Sequence, residues 1–191
     1  MTQKKHIAIF ASGNGSNFEA IANACFDGRL NADVALLICD KPKAFVIQRA
    51  KKFDIPVFEF QPKNYASKIL YEGEIVRILK EHDIDLICLA GYMRLVSDVL
   101  LDEYEGKIIN IHPSLLPAFK GLNAIQQAFD YGVKITGVTT HFVDKTMDGG
   151  KIIDQVSIPI DCTLEELETR IHKAEHELYI KTIGTLFTLQ T

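Results

Sequence analysis

No apolar run in the chain approaches the ~20 consecutive residues that a helix needs to cross a bilayer. The N-terminus, Met1-Thr2-Gln3-Lys4-Lys5, leads straight into a strand-like segment and carries no apolar signal region. Basic residues are not in excess: 21 Lys and Arg stand against 25 Asp and Glu, a formal charge of −4. That balance gives no support for a nucleic-acid or membrane surface. Cysteine is sparse. Cys25, Cys39, Cys88 and Cys162 are scattered without a C-x-x-C pair, which reads as reduced thiols in a cytoplasmic protein. Linkers, repeats and low-complexity tracts are absent, so a single domain over residues 1–191 is expected. The 47% of hydrophobic residues is enough for a large buried core.

What is present alternates. Strands are expected at His6–Phe10, Val34–Cys39, Val57–Phe60, Leu86–Ala90, Lys107–Ile109, Ile135–Val143 and Ile152–Ile158. Helices are expected at Asn17–Asp27, Ala44–Phe53, Ser67–His82, Ala124–Tyr131 and Thr163–Leu186. Leu86–Ala90 is nearly all apolar, as in a strand covered on both faces. The alternation implies an α/β fold, a Rossmann-like and mostly parallel sheet flanked by helices on both faces. Ligands of such sheets bind outside the carboxyl ends of the strands. Ser12–Asn17, Gly91–Leu95 and Asn110–His112 all fall at strand ends, so they are expected to converge on one edge.

Ser12-Gly13-Asn14-Gly15-Ser16-Asn17 joins the first strand to the first helix. Glycines let backbone N–H groups turn inward, and the helix N-terminus adds its dipole, so the loop suits an anion. Ser16 or Asn17 can cap the helix or bond the anion. A dinucleotide fingerprint would want glycine where Phe18 stands, which makes Asp40 a decoy for that motif's ribose-binding acid. No G-K-[S/T] follows, which argues against a triphosphate loop. The remaining alternative is a tight turn with no ligand.

Asn110-Ile111-His112-Pro113-Ser114-Leu115-Leu116-Pro117 carries the chemistry. Asn110 and His112 are two apart along a strand, so their side chains share a face. Pro113 keeps His112 extended and aims its imidazole. An amide and an imidazole on one rigid edge supply a polar hydrogen-bonding group and a proton-transfer group. Asp148, before Gly149-Gly150, is a carboxylate in an adaptable turn that can complete the set or simply form the turn. Such a trio suits acyl transfer without a covalent intermediate. Neither Ser114 nor any cysteine is an evident nucleophile. On the last helix, His172-Lys173-Ala174-Glu175-His176 reads H-x-x-E-H, an inverted zinc-protease pattern. No third ligand presents itself, so a solvated helix face and no metal are expected.

These motifs resemble the folate-dependent phosphoribosylglycinamide formyltransferases of purine biosynthesis, from Ile7 to about Leu186. The matching segments are Ala11–Asn17 (ASGNGSN), Leu89–Leu95 (LAGYMRL), Asn110–Pro117 (NIHPSLLP), Gly137–Val143 (GVTTHFV) and Asp148-Gly149-Gly150. The resemblance implies small-molecule substrates, with 10-formyltetrahydrofolate as co-substrate and no metal, in a monomer or homodimer. It makes Asn110, His112 and Asp148 the catalytic trio. Gly15, Ser16 and Asn17 then take the ribonucleotide phosphate, and Glu175 its ribose hydroxyls. Met93, Arg94, Leu95 and Val96, with Asn110, line the folate pocket, and backbone groups of the 93–96 segment read the heterocycle's edge. Lys68 stands where some members carry an Arg near the glutamate tail; it keeps the charge and loses the bidentate fork. His141 is a neighbour of the trio with a direct or supporting role. Lys120 and Asn123 depart from the family's Pro and His and take no role.

A hydrolase that deformylates the same folate with the same trio is the nearest alternative. Relatives of that kind carry an extra N-terminal regulatory domain, and this chain starts at its first strand. A tRNA-directed formyltransferase would need a longer chain and a basic surface. A non-catalytic mononucleotide-binding module would explain the anion loop but not Asn110, His112 and Asp148.

Overall fold

A computed structural model describes residues 4–189. Met1-Thr2-Gln3, on which the reading of the N-terminus partly rests, lies outside the described residues. The strands are β1 (Lys5–Ala11), β2 (Ala32–Cys39), β3 (Val57–Glu59), β4 (Leu86–Leu89), β5 (Ile108–His112), β6 (Ile135–Phe142) and β7 (Ile152–Pro159). The helices are α1 (Ser16–Phe26), α2 (Phe45–Lys52), α3 (Lys68–Glu81), α4 (Asp98–Glu103), α5 (Ala124–Tyr131) and α6 (Leu164–Leu189). The sheet has the order β3-β2-β1-β4-β5-β6-β7, the α/β arrangement expected from the alternation. By internal contacts the chain divides into two compact units, Met1–Ile109 and Asn110–Thr191, and β5 begins in the first and ends in the second.

In the first unit, β1 pairs in parallel with β2 and with β4, and β2 with β3. The chain winds outward from β1 to β3, then α3 carries it back to β4 on the other side of β1. The order therefore reverses at β1 and β4, the position where sheets of this type bind ligands. Ile7, Ile9, Phe10, Leu36, Leu37, Ile38 and Ile87 are almost fully buried. Each such side chain contributes about 1.5–3 kcal/mol by leaving water. Ser67 starts α3 by accepting a hydrogen bond from the Leu70 N–H.

In the second unit β6 and β7 run antiparallel. Their connection holds no helix, so the chain turns back rather than crossing over. α6 packs along both strands. Its buried positions Leu167, Ile171, Glu175, Leu178, Tyr179, Thr182 and Ile183 follow the helical period.

Two elements were not expected from the sequence: α4 and a single 3₁₀ turn at Pro62–Asn64. Both are too short to show a hydrophobic period. The Leu116–Pro117 peptide is cis.

Candidate active site

The anion loop leaves β1 and enters α1 through Gly15, whose φ of +78° is left-handed. A Cβ there would run into the Val46 side chain, so glycine is required on both counts. Gly15 is the N-cap and no side chain caps the helix, so of the two roles open to Ser16 and Asn17, capping is not the one taken. Ser16 and Asn17 stand in the first turn with their side chains free of that duty. The Asn17 Oδ1 is buried without a hydrogen-bond partner. The loop is held from outside: Val46 N–H donates to the Gly13 carbonyl at 3.1 Å, and Arg49 Nε to the Asn14 carbonyl at 2.9 Å. Arg49 also pairs with Glu19 in the first turn of α1.

Across the β1/β4 reversal, Ser12 N–H donates to the Gly91 carbonyl at 3.1 Å. The segment after β4 presents Met93 and Leu95 exposed and Arg94 half-buried. The Arg94 guanidinium turns inward to Asp40 at 2.7 Å, so its side chain is committed to the protein. Lys68, the first residue of α3, has its ammonium 3.7 Å from the buried Glu72 carboxylate.

In the second unit, β5 delivers Asn110 and His112 as its alternation requires. His112 is buried, and its Nε2 lies 2.8 Å from the Phe119 carbonyl. A carbonyl can only accept, so Nε2 carries a proton, and Nδ1 is the nitrogen left to exchange one. Nδ1 faces the Asp148 Oδ2 at 3.6 Å. The same Oδ2 accepts the Gly121 N–H at 2.8 Å, which fixes the carboxylate. Asp148 has φ of +48°, and a Cβ on Gly150 would collide with the Phe142 carbonyl. The D-G-G turn thus closes back onto the end of β6.

His141 links the set. Its Nδ1–H donates to the Phe142 carbonyl at 2.8 Å, and its Nε2 is 3.1 Å from Asn110 Nδ2. Burial pulls its pKa below the ordinary 6.5, against opposing pulls from the Phe142 carbonyl and Asp148. A neutral ring keeps Nε2 an acceptor, which makes Asn110 Nδ2 the donor and sets the amide's orientation. The amide carries a second N–H donor. Asp148 Oδ1 stands 3.8 Å from the same Nε2. Asn110, His112 and Asp148 are therefore brought together, with His141 between Asn110 and Asp148.

Sequence reasoning passed over the supports. Thr139 is buried; its hydroxyl donates to the Ser114 carbonyl at 2.7 Å and accepts the Leu116 N–H at 3.1 Å. It thereby fixes the loop that leaves His112. Thr140 meets Thr182 of α6 at 2.9 Å. The paired threonines ahead of a histidine, all in one strand, were the available signal. Ser114 donates to the Ala118 carbonyl at 2.5 Å, so its hydroxyl serves the turn.

Glu175 sits on the buried stripe of α6, and His172 Nδ1–H donates to it at 2.8 Å. That bond raises the His172 pKa above 6.5. Among the described residues no group of three or more His, Cys, Asp or Glu can hold a metal ion. No helix among them is long and apolar enough to cross a membrane.

Residues 5–183 match the family model described as formyl transferase. The chain belongs to that family. It is 55% identical over 187 residues to a phosphoribosylglycinamide formyltransferase of Bacillus subtilis, covering 97% of this chain and 96% of that protein. Among solved structures it superposes on glycinamide ribonucleotide transformylase 1 of Geobacillus kaustophilus with TM-score 0.93 and 55% identity, over 96% and 98% of the two chains. A phosphoribosylglycinamide formyltransferase of Bacillus halodurans gives TM-score 0.94 and 53% identity, over 98% and 97%.

Proposed function

We propose that the chain transfers the formyl group of 10-formyltetrahydrofolate to the amine of 5-phosphoribosylglycinamide, in the cytoplasm, as a step of purine biosynthesis. The observation that carries the reading is the His112 ring: one nitrogen is locked on a carbonyl and the other faces a fixed carboxylate. That arrangement serves proton transfer and charge stabilisation, and the neighbouring Ser114 hydroxyl is tied to the backbone. Together they favour direct attack over an acyl-enzyme.

The substrate's neutral amine attacks the formyl carbon, and a C–N bond forms as the carbonyl electrons move to oxygen. The second N–H of Asn110 and a protonated His112 Nδ1 are donors suited to that oxyanion. Asp148 supports the imidazolium while the charge is present. The attacking nitrogen then loses a proton, N10 gains one, and the C–N10 bond breaks to leave tetrahydrofolate. Gly15, Ser16 and Asn17 are assigned to the ribonucleotide phosphate on the strength of the left-handed glycine and the helix N-terminus that no side chain caps. Glu175 is assigned to the ribose hydroxyls. Met93, Leu95 and Val96 supply apolar cover for the folate, Arg94 contributes its backbone, and Lys68 attracts the glutamate tail.

The test is formyl transfer from 10-formyltetrahydrofolate to the ribonucleotide, with free formate measured in parallel. Equimolar formylated ribonucleotide and tetrahydrofolate are expected. Formate release without use of the ribonucleotide would replace the transferase reading with the hydrolase one.

A further inference from the structure

The proposed reaction gives no part to Asp40, yet its carboxylate is buried and fully engaged. It directly follows β2, whose last residues are apolar, and is 3% exposed. One carboxylate oxygen accepts the Ser12 hydroxyl at 2.5 Å, and the other accepts Arg94 Nε at 2.7 Å. The Ser12 Oγ in turn accepts the Met93 N–H at 2.9 Å. A single buried carboxylate thus ties the first residue of the anion loop to two consecutive residues of the segment after β4. At the far end of that segment, the buried Glu72 accepts the Ser97 N–H, at 3.2 Å to each carboxylate oxygen, and also the Ser97 hydroxyl.

Between these anchors the chain holds Met93 and Leu95 out, 57% and 63% exposed. Apolar side chains on a backbone pinned at both ends are suited to receiving a flat heterocycle, whose edge needs backbone groups at fixed positions. Buried charge-assisted hydrogen bonds are a costly way to fix a surface segment unless its geometry matters. Arg94 cannot also reach a ligand with the nitrogen that it gives to Asp40.

We propose that Asp40 is a positioning residue for the folate, acting through Ser12 and Arg94 to hold the Met93–Val96 backbone in its binding geometry, with Glu72 fixing the opposite end. The inference rests on the reading of Met93–Val96 as a folate site. Because Ser12 also begins the anion loop, Asp40 couples folate geometry to phosphate geometry through one side chain.

The experiment measures equilibrium binding of tetrahydrofolate and, separately, of 5-phosphoribosylglycinamide by calorimetry, alongside kcat and both KM values. Asp40→Asn weakens tetrahydrofolate binding by about 10- to 100-fold, the range for losing a hydrogen bond to a charged group. kcat at saturating folate changes less than about threefold, since no reacting atom is touched. Arg94→Gln, which leaves the Ser12–Asp40 bond in place, weakens the folate alone. Ser12→Ala weakens both ligands. Circular dichroism and thermal melts confirm that each variant is folded; if Asp40→Asn does not fold, Arg94→Gln and Ser12→Ala carry the test. Wild-type folate affinity in folded Asp40→Asn and Arg94→Gln would overturn the proposal. A fall in kcat with unchanged affinity would overturn it too. Failure of the wild-type protein to bind tetrahydrofolate would instead sink the underlying functional reading.

Discussion

Replacing Asp148 by Asn removes one charge and little else. The left-handed backbone at Asp148, φ +48°, is one that Asn adopts readily. The amide oxygen can still accept the Gly121 N–H that Asp148 Oδ2 now accepts at 2.8 Å. That bond changes from charged to neutral, so the loss of stability is expected to be about 1 kcal/mol. The effect on a protonated His112 is larger. Oδ2 lies 3.6 Å from Nδ1, in a site where His112 is buried and Asp148 half-buried. Opposite unit charges about 4 Å apart attract by about 4 kcal/mol at an effective dielectric near 20, before the cost of desolvation is counted. Half of that advantage, about 2 kcal/mol, would exceed a tenfold change in rate, and the proton-transfer step adds a loss of about 10²–10⁴ where the acid is absent. We expect kcat to fall by at least roughly 10² while both Kd values stay within about threefold. The assay is single-turnover formyl transfer with both substrates saturating, next to calorimetric binding and a thermal melt. Turnover within threefold of wild type in a folded Asp148→Asn would remove the carboxylate from the chemistry.

Gly15→Ala forces a Cβ against Val46 at a left-handed position, and is expected to cost about 2–4 kcal/mol in urea unfolding. A double-mutant cycle with Val46→Gly, which removes both the Cγ2 and the Cβ that the new methyl would meet, should show favourable coupling, and simple additivity would contradict the clash. His141 has a pKa held below 6.5 by burial, so the unfolded chain binds more protons as the pH falls. Its contribution is complete above pH 6.5 and declines below it; the midpoint difference between pH 7.5 and 5.5 should shrink in His141→Gln. His172 has the opposite sign. Its pKa is raised by Glu175, so its contribution is full below 6.5 and fades as the pH rises through the folded value. With the His172 side chain 56% exposed, the effect is a few tenths of a kcal/mol, and Glu175→Gln should abolish it. Formyl transfer should survive exhaustive chelation, and loss of activity restored by zinc would revive a metal reading of His172 and His176.

Most of the fold was legible because its signals are local. Alternating apolar strands and periodic helices announced every strand and five of the six helices to within a few residues. The mostly parallel sheet then followed from the order of the elements. What escaped was either too short to show a period, as with α4, or set by packing, as with the antiparallel entry of β7. The candidate site was legible to the same depth. The spacing of Asn110 and His112 along a strand foretold their shared face, whereas Asp148 before its two glycines read equally as a third member or as a turn former, and only the family resemblance chose between them.

The contacts that decide how those groups behave were not legible. Which histidine nitrogen is free depends on the carbonyl of Phe119, and the orientation of Asn110 depends on His141, a strand away. Neither partner is marked by its residue type, since a backbone oxygen belongs to every residue. Asp40 shows the same limit from the other side. In the sequence it looked like the ribose acid of a dinucleotide motif and was dismissed when the glycines did not fit. In the fold its carboxylate faces Ser12 and Arg94, residues 28 and 54 positions away. A buried charged residue directly after the buried end of a strand is costly unless it is paired, so the position itself demanded partners even though the sequence did not name them. Motif spacing thus identifies the groups that can do chemistry, while an acid at a core position points to what holds them in place.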